Sequence, residues 1–402
     1  MWQKVKNIYH LLRAFTACIY FGFPSKKLTV IGVTGTDGKT TTSHMIYEIL
    51  KSANKKVSLI SSIHAQIGEK TYDTGFHVTT PDPVALQKFL RKVVNSDSEC
   101  LVLEVTSHGL DQNRIFGVDF DFAVLTNITH EHLDYHKSFE NYILAKARLF
   151  KGVKVSILNL DDPTFSKIKK LANGKIITYS IGKKADFAPK NFPLKLKIPG
   201  EYNLSNALCA AALATQVGIS KKIITKALNN FQGVKGRMEE VDMGQDYQVK
   251  VDFAHTPNGL KQALKTLKSR IKGQGSRVIA VFGAAGERDK LKRPKMGKIA
   301  AIYADICVLT AEDPRSEKVE DICWQIARGL VRSGKKEGSD FYQIYDRQKA
   351  IEFAVKLAKP GDIVVCFGKS HEKSMCFGKK EYPWDEFKSV ERAITKKANE
   401  KE

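Results

Sequence analysis

The residues best suited to chemistry form a glycine-rich run with a lysine and several threonines. From Thr34 to Thr42 the sequence reads TGTDGKTTT, after an apolar segment at residues 28–31 and before a helix-like segment at residues 43–50. Strand, glycine turn and helix in this order are typical of a phosphate-binding loop, because backbone N–H groups and the helix N-terminus then face phosphate oxygens. We expect Lys39 to contact the terminal phosphates of a nucleotide and Thr40 to bind Mg²⁺. Val33 stands where the general Walker pattern has glycine, and a glycine turn that binds nothing is the alternative.

A second set combines a carboxylate, an imidazole and a lysine. Glu104 lies in LEVTSHGLDQNR, His132 in THEHLDYH and Lys146 in YILAKARLF. A carboxylate and an imidazole at adjacent strand ends can hold a second Mg²⁺, although this ion prefers oxygen ligands. The alternatives are a satisfied polar histidine and an ordinary helix-surface lysine.

The elements that position these residues alternate between apolar strands and helical stretches. Strands are predicted at residues 28–33, 57–61, 101–105, 122–126 and 155–158, and a second α/β unit begins near residue 247, with strands at 278–282, 306–310 and 363–367. Strands separated by helices predict doubly wound, mainly parallel sheets with ligands at the strand C-termini. Polar residues follow several of these strands, among them the segment from Asn127 to His132.

Composition and charge argue against a nucleic-acid-binding protein and favour reduced cysteines. The chain has 402 residues, a net charge of +22 and seven cysteines without a CxxC pair. The lysines are spread over the chain, so we expect anionic small-molecule substrates and no nucleic acid. The cysteine pattern favours reduced thiols in the cytoplasm. Residues 1–27 are predicted to form an amphipathic helix, which either docks on the first domain or makes peripheral contact with a membrane.

Eleven motifs in order resemble the Mur ligase family of ATP-dependent amino-acid ligases, most closely its MurE-type UDP-N-acetylmuramoyl-tripeptide synthetases. They span roughly residues 28–375 and read TGTDGKTTT, HVTTPDP, EVTSHGLDQNR, TNITHEHLDYH, AKARLF, GEYNLSNAL, GRMEEV, DFAHTPNGL, FGAAGERDKLKRPKMG, EDPRSE and GKSHE. The resemblance implies an α/β fold in three parts. These are the helix at 1–27, a central P-loop ATPase domain at 28–233 with a doubly wound sheet, and a C-terminal Rossmann-like domain at 234–402 that binds the amino acid.

The resemblance also implies ATP, two Mg²⁺ ions and a carbamylated Lys146. Glu104, His132 and Lys146 are expected to hold the second ion. The implied ATP-binding residues are Gly35, Thr36, Asp37, Gly38, Lys39, Thr40, Thr41, Asn206, Arg237, Asp252 and His255. The implied acceptor-binding residues are Thr79, Thr80, Ser107, Gln112 and Arg114. The implied amino-acid-binding residues are Arg288, Asp313, Arg315, Gly368 and Glu372.

The implied reaction adds an amino acid, expected to be meso-diaminopimelate, to an acidic muramyl-peptide acceptor through an acyl phosphate in peptidoglycan precursor synthesis. The chain departs from the family in two places. Only 27 residues precede the first strand, so we expect the UDP-binding domain to be missing. The family motif DNPR reads EDPR at Glu312–Arg315, and Ser370 replaces a glycine. Arg315 still favours a donor with a distal carboxylate.

Two alternative functions stay open. One is a truncated paralogue that acts on a different acidic acceptor. The other is a partner-dependent ATP-binding subunit. For the ligase itself we expect a monomer.

Overall fold

Strands and helices alternate along the chain in the computed structural model, which describes residues 2–75, 79–271 and 275–400. The elements group into two units. The first contains residues 1–129 and 136–232, and the second contains residues 130–135 and 233–402.

The first unit is built on an eight-stranded sheet with the strand order β4-β3-β2-β5-β1-β6-β7-β8. The elements from the N-terminus through this part of the chain are α1 Trp2–Phe21, β1 Thr29–Thr34, α2 Lys39–Ser52, β2 Val57–Ile60, β3 Ala65–Ile67, β4 Lys70–Tyr72, α3 Pro83–Asn95, β5 Cys100–Glu104, α4 Ser107–Asp111, β6 Phe122–Leu125, α5 Leu133–His136, α6 Phe139–Ala147, β7 Val155–Asn159, α7 Phe165–Leu171, β8 Lys175–Tyr179, α8 Glu201–Gln216 and α9 Lys221–Asn230. The strands from β2 to β8 in this order pair in parallel, and β3 and β4 add an antiparallel edge. Because β1 is central and apolar on both faces, its C-terminal end is held firmly.

Helix α1 packs on α3 with a face of small residues. Ala14, Ala17 and Cys18 are buried there, and the Cys18 thiol lies 3.3 Å from the carbonyl oxygen of Phe116. The opposite face of α1 exposes large apolar side chains, namely Ile8, Leu12, Phe15, Ile19 and Tyr20. Over the described residues, no helix is both long and apolar enough to cross a bilayer.

The second unit is built on a six-stranded sheet with the order β13-β12-β11-β14-β10-β9. Its elements are β9 Glu239–Glu240, β10 Gln248–Asp252, α10 Pro257–Arg270, β11 Val278–Phe282, α11 Lys292–Tyr303, β12 Ile306–Leu309, α12 Val319–Val331, β13 Phe341–Gln343, α13 Arg347–Leu357, β14 Ile363–Phe367, β15 Ser374–Phe377, β16 Lys380–Pro383 and α14 Glu386–Asn399. Helices α10, α11 and α12 contribute to the core on one face of the sheet, and α13 and α14 to the core on the other. The strands pair in parallel except β9, and β15 and β16 form a separate hairpin.

The predicted α/β class with mainly parallel sheets is confirmed. The predicted strands at 278–282 and 363–367 have the observed bounds, and most others end within two residues of the prediction. The antiparallel edge strands β3, β4 and β9 were not predicted, because each has only two or three residues and too short a pattern to recognise.

Candidate active site

The glycine-rich loop connects β1 to α2, and the atoms around it leave no space for a side chain at Gly35 or Gly38. Gly35 and Gly38 have φ angles of 153° and 80°. A Cβ on Gly35 would lie 1.8 Å from the Thr126 hydroxyl, and one on Gly38 would lie 2.4 Å from the Asn206 amide oxygen. A side chain at either glycine would therefore collide with its neighbour. The same contact places the predicted Asn206 beside the loop.

The end of β6 supports this loop. The Thr126 hydroxyl donates to the Asp37 carbonyl at 2.7 Å, and the Asp37 amide donates to the Asn127 side-chain oxygen at 3.0 Å. The Thr36 amide donates to the Asn127 carbonyl at 2.7 Å. Thr126 was absent from the predicted site, although its position at the end of a predicted strand was a usable signal.

Glu104 lies beside Thr40, because β5 pairs with β1 and places Glu104 opposite Val33. The Thr40 hydroxyl lies 3.2 and 3.1 Å from the two Glu104 carboxylate oxygens. The Ser62 amide donates to the same carboxylate at 3.0 Å. Ser62 was not predicted, because its contact with Glu104 depends on the pairing of β2 with β5.

Lys146 is buried on α6, and its ammonium donates to the Gly35 carbonyl at 2.6 Å. Burial lowers the pKa of Lys146 well below its ordinary value, and the nearby Lys39 lowers it further. Lys39 itself begins α2 and donates to the Thr36 carbonyl at 2.8 Å. The structure thus brings the predicted Lys39, Thr40, Glu104 and Lys146 to one loop.

These residues fit a nucleotide with Mg²⁺. A hydroxyl and a carboxylate are the oxygen ligands that Mg²⁺ prefers, and the N-terminus of α2 suits a phosphate. Among the described residues, no three histidine, cysteine, aspartate or glutamate side chains gather as a metal site. The predicted second site contains only two residues of those types, and one of them, His132, belongs to the segment grouped with the second unit.

The predicted acceptor residues lie in a connected hydrogen-bond network of the first unit. The Arg114 guanidinium donates to the Thr80 carbonyl and to the Gln112 side-chain oxygen, both at 2.9 Å. The Thr80 hydroxyl lies 3.4 Å from the Glu104 carbonyl oxygen. This network joins the acceptor segments to the strand that carries Glu104.

Ser107 and Thr79 complete the predicted acceptor set. The Ser107 hydroxyl lies 3.0 Å from Nε2 of His136, whereas Thr79 is half-buried. Burial lowers the pKa of His136 to about 4, so that its imidazole is neutral at pH 7.

In the second unit, the predicted nucleotide residues gather at the end of β10. The Asp252 carboxylate accepts from the Met238 and Ala254 amides, both at 2.8 Å. The Arg237 guanidinium lies 4.4 Å from the centre of the Phe253 ring, which in turn lies 4.8 Å from the His255 ring.

The predicted donor residues Asp313 and Glu372 share one buried cation. The Lys369 ammonium lies 2.7 Å from Asp313 and 2.6 Å from Glu372. Burial alone would lower the pKa of Lys369, but the two carboxylates outweigh it and raise that pKa. Sequence reasoning quoted GKSHE and missed this lysine. The anion that Asp313 introduces is therefore compensated inside the protein.

Arg288 and Arg315 are the remaining charged residues of the predicted donor site. Burial lowers the pKa of Arg288, and the neighbouring Arg315 guanidinium lowers it further. Two cations that disfavour each other can be stabilised by a bound anion. The predicted Gly368 has a φ angle of 103°, and a Cβ there would lie 2.5 Å from a Glu312 carboxylate oxygen. Burial raises the pKa of Glu312 to about 7.

Two models of known protein families match this chain, one after the other along the sequence. Residues 33–214 match the family model of the Mur ligase middle domain, and residues 236–370 match that of the Mur ligase, glutamate ligase domain.

Two curated relatives carry the name UDP-N-acetylmuramoyl-L-alanyl-D-glutamate--2,6-diaminopimelate ligase. The chain is 38% identical to the protein from Caldanaerobacter subterraneus subsp. tengcongensis over 394 residues, covering 93% of this chain and 80% of the relative. It is 40% identical to the protein from Syntrophomonas wolfei subsp. wolfei over 382 residues, covering 89% and 76%. A solved structure of a ligase with the same name is 32% identical, has a TM-score of 0.60 and is matched over 92% of this chain and 79% of its own. With two family models matched in order and relatives this similar, the chain belongs to the Mur ligase family.

Proposed function

We propose that this protein is an ATP-dependent ligase that joins meso-2,6-diaminopimelate to UDP-N-acetylmuramoyl-L-alanyl-D-glutamate, as a step of peptidoglycan precursor synthesis. The observation that carries the proposal is the Thr40–Glu104 contact at the N-terminus of α2, at 3.1–3.2 Å. It combines a phosphate-binding helix end with oxygen ligands for Mg²⁺. The names of the similar proteins supply the substrates.

The reaction proceeds in two steps. A carboxylate oxygen of the acceptor attacks the γ-phosphorus of ATP, ADP leaves and an acyl phosphate forms. The donor amine then attacks the acyl carbon, phosphate leaves with the oxygen of the former carboxylate, and the nitrogen loses a proton. Lys39 and the N-terminus of α2 hold the phosphates and offset the charge that develops on them.

Two Mg²⁺ ions, when bound, supply further positive charge around the transferred phosphoryl group. Thr40 and Glu104 provide oxygen ligands to metal in the first unit. We propose that Lys146 is carbamylated, since burial and Lys39 lower its pKa, and a lowered pKa increases the share of neutral amine, the form that adds to CO₂. The carbamate would replace a buried cation by an oxygen ligand. The part of His132 in this chemistry stays a prediction, as do the nucleotide contacts of Arg237, Asp252 and His255.

The donor pocket of the second unit favours a diamino acid with a distal carboxylate. Arg315 and Arg288 offer two guanidiniums, and a bidentate pair with a carboxylate is among the strongest polar contacts in proteins. Lys369 compensates Asp313 at 2.7 Å, so the aspartate need not repel that carboxylate. Lysine as a donor has no distal carboxylate to pair with the two guanidiniums.

The test is an assay of ADP release with product mass, omitting one substrate at a time. We expect turnover only when the UDP-linked acceptor and meso-diaminopimelate are both present, with lysine a poor donor. Arg315→Ala should raise the KM for diaminopimelate by about 10-fold or more, since one charged pair is lost. Turnover with a different acceptor would favour the paralogue, and ADP release that depends on a second protein would favour a partner-dependent subunit.

We propose further that the protein is a cytoplasmic monomer. Its seven cysteines all lie within the described residues and are free thiols, in keeping with a reducing compartment. The exposed apolar face of α1 supports peripheral contact with a membrane. Co-sedimentation with anionic vesicles, with Leu12→Glu as the control, tests that contact. Light scattering measures the molar mass in solution, which should be that of a single chain.

A further inference from the structure

A cavity beside the predicted acceptor residues receives a side chain from the N-terminal helix. The cavity has a volume of roughly 270 Å³, and its wall is formed by His10, Thr74, Gly75, Pro81, Asp82, Ala85 and Arg114. Arg114 belongs to the predicted acceptor site, whereas His10 lies on α1, to which no substrate contact is assigned. A residue of α1 and an acceptor residue thus face the same space.

Helix α1 makes a polar contact with each of the two predicted acceptor segments. The Asn7 amide donates to the Asp111 carboxylate at 3.2 Å, and the Arg13 guanidinium lies 3.5 Å from the Asp82 carboxylate. Asp82 belongs to TTPDP and Asp111 to SHGLDQNR, the two segments that carry every predicted acceptor residue. These contacts place α1 across both segments, so the position of His10 is set by the same elements that position Arg114.

The chemistry of the cavity wall favours an anion. The Asp82 carboxylate accepts from the Val84 amide at 3.0 Å as the N-cap of α3, and the same oxygen faces Arg13. The negative charge of Asp82 is therefore offset by the N-terminus of α3 and by the Arg13 guanidinium. Arg114 is oriented by two neutral oxygens, the Thr80 carbonyl and the Gln112 amide. A guanidinium and an imidazole facing one cavity are donors suited to a carboxylate or a phosphate.

We propose that α1 forms part of the acceptor site, in which His10 and Arg114 bind one anionic group of the acceptor. The inference rests on the proposed function and extends it, because it assigns the N-terminal helix a direct part in substrate recognition. The group is a carboxylate of the peptide or a phosphate of the nucleotide.

Calorimetry on the full chain tests the proposal with three probes. These are UDP-N-acetylmuramoyl-L-alanyl-D-glutamate, L-alanyl-D-glutamate for the carboxylate and UDP for the phosphate. His10→Ala should weaken binding of the complete acceptor by about 10- to 150-fold, the range for a lost hydrogen bond to a charged group. His10→Gln, which keeps an N–H donor, should recover part of the affinity. The short probe whose affinity also falls identifies the anionic group.

Controls separate recognition from folding. Thr16→Ala changes an exposed residue of α1 whose hydroxyl bonds only within its own helix at 3.0–3.2 Å, and it should bind the acceptor as the wild type does. A non-hydrolysable ATP analogue should bind all variants equally.

Unchanged acceptor affinity in His10→Ala would overturn the inference and leave the proposed function intact. Equal losses for the acceptor and the ATP analogue would also overturn it, since they would assign α1 a purely structural part. A wild-type protein that binds no probe and releases no ADP would overturn the proposed function together with the inference.

Discussion

Lys146 is the residue whose surroundings depart furthest from those of an ordinary lysine. It is buried, its ammonium donates a hydrogen bond to the neutral Gly35 carbonyl at 2.6 Å, and Lys39 is a neighbouring cation. A permanently charged ammonium is costly in such a place unless it is paired. Carbamylation removes this cost and adds the oxygens that a hard metal prefers.

Replacing Lys146 by alanine should lower turnover by about 100-fold or more, because an oxygen ligand to metal is lost. Added formate or acetate should restore part of the activity by occupying the vacated space. The exposed Lys151 provides the matched control, and Lys151→Ala should act as the wild type does. Independently, the carbamate should give a ¹³C signal in protein equilibrated with labelled bicarbonate. Full activity without rescue would assign Lys146 a role in packing alone.

His136 should make stability depend on pH. Burial lowers its pKa from 6.5 to about 4, against a smaller raising effect of Asp111. Below pH 6.5 the unfolded chain therefore takes up a proton that the folded protein does not, and stability falls as the pH falls from 6.5 to 4. Between pH 7 and 5 the loss should be on the order of 1 kcal/mol after allowance for partial solvation.

Urea unfolding of the wild type and of His136→Asn at several pH values measures this effect. Removing the titrating group should flatten the dependence over that range. Equal slopes in the two proteins would show that other groups cause the dependence.

Among the elements, the loop that follows β14 contacts both the segment that precedes β9 and the end of β10, which are distant from it in sequence. The Ser370 hydroxyl donates to the Gly236 carbonyl at 2.6 Å, and the Gly368 amide donates to the Asp252 carbonyl at 3.0 Å. The Phe253 ring lies 4.8 Å from the His371 ring. One connected set of contacts therefore links the segment of Arg237 to the donor segment.

Removing the Ser370 hydroxyl should loosen this connection. Ser370→Ala leaves a buried carbonyl without its partner, which costs about 1–3 kcal/mol. We expect the KM for the donor to rise by about 3- to 10-fold with kcat little changed, because about 1 kcal/mol of donor positioning is lost. Steady-state kinetics with Ser333→Ala as the control measures it, since Ser333 makes the same type of bond to Gly329 at 2.9 Å. A loss of stability with unchanged KM would assign Ser370 to packing only.

The sequence predicted the strands and loops that carry chemistry because their signals are local. β11 and β14 are continuous apolar runs that are each followed by a glycine, so their bounds could be read directly. The contacts of Ser62 with Glu104 and of Lys369 with Asp313 depend on which strands become neighbours in the sheet. The position of α1 depends on Asp82 and Asp111, which are distant in sequence. Such pairings are fixed by packing and leave no periodic pattern.

For the whole molecule, we propose that each unit supplies a different part of one reaction. The first presents the phosphate loop, Glu104 and the acceptor segments, and the second presents the cluster of Arg288, Arg315 and Lys369. Neither set forms an amide alone, because activation of a carboxylate and delivery of an amine are separate steps. The central claim is therefore that the acceptor carboxylate is phosphorylated before the donor amine attacks.

Transfer of an isotope from the acceptor to phosphate tests this claim most directly. The acceptor is prepared with ¹⁸O in both carboxylates of its glutamate and is turned over with ATP and meso-diaminopimelate. The acyl phosphate route predicts that each released phosphate carries one oxygen from a carboxylate of the acceptor, visible as a mass increase and an isotope shift in the ³¹P spectrum. Phosphate without label, formed at the same rate as the amide product, would contradict the account.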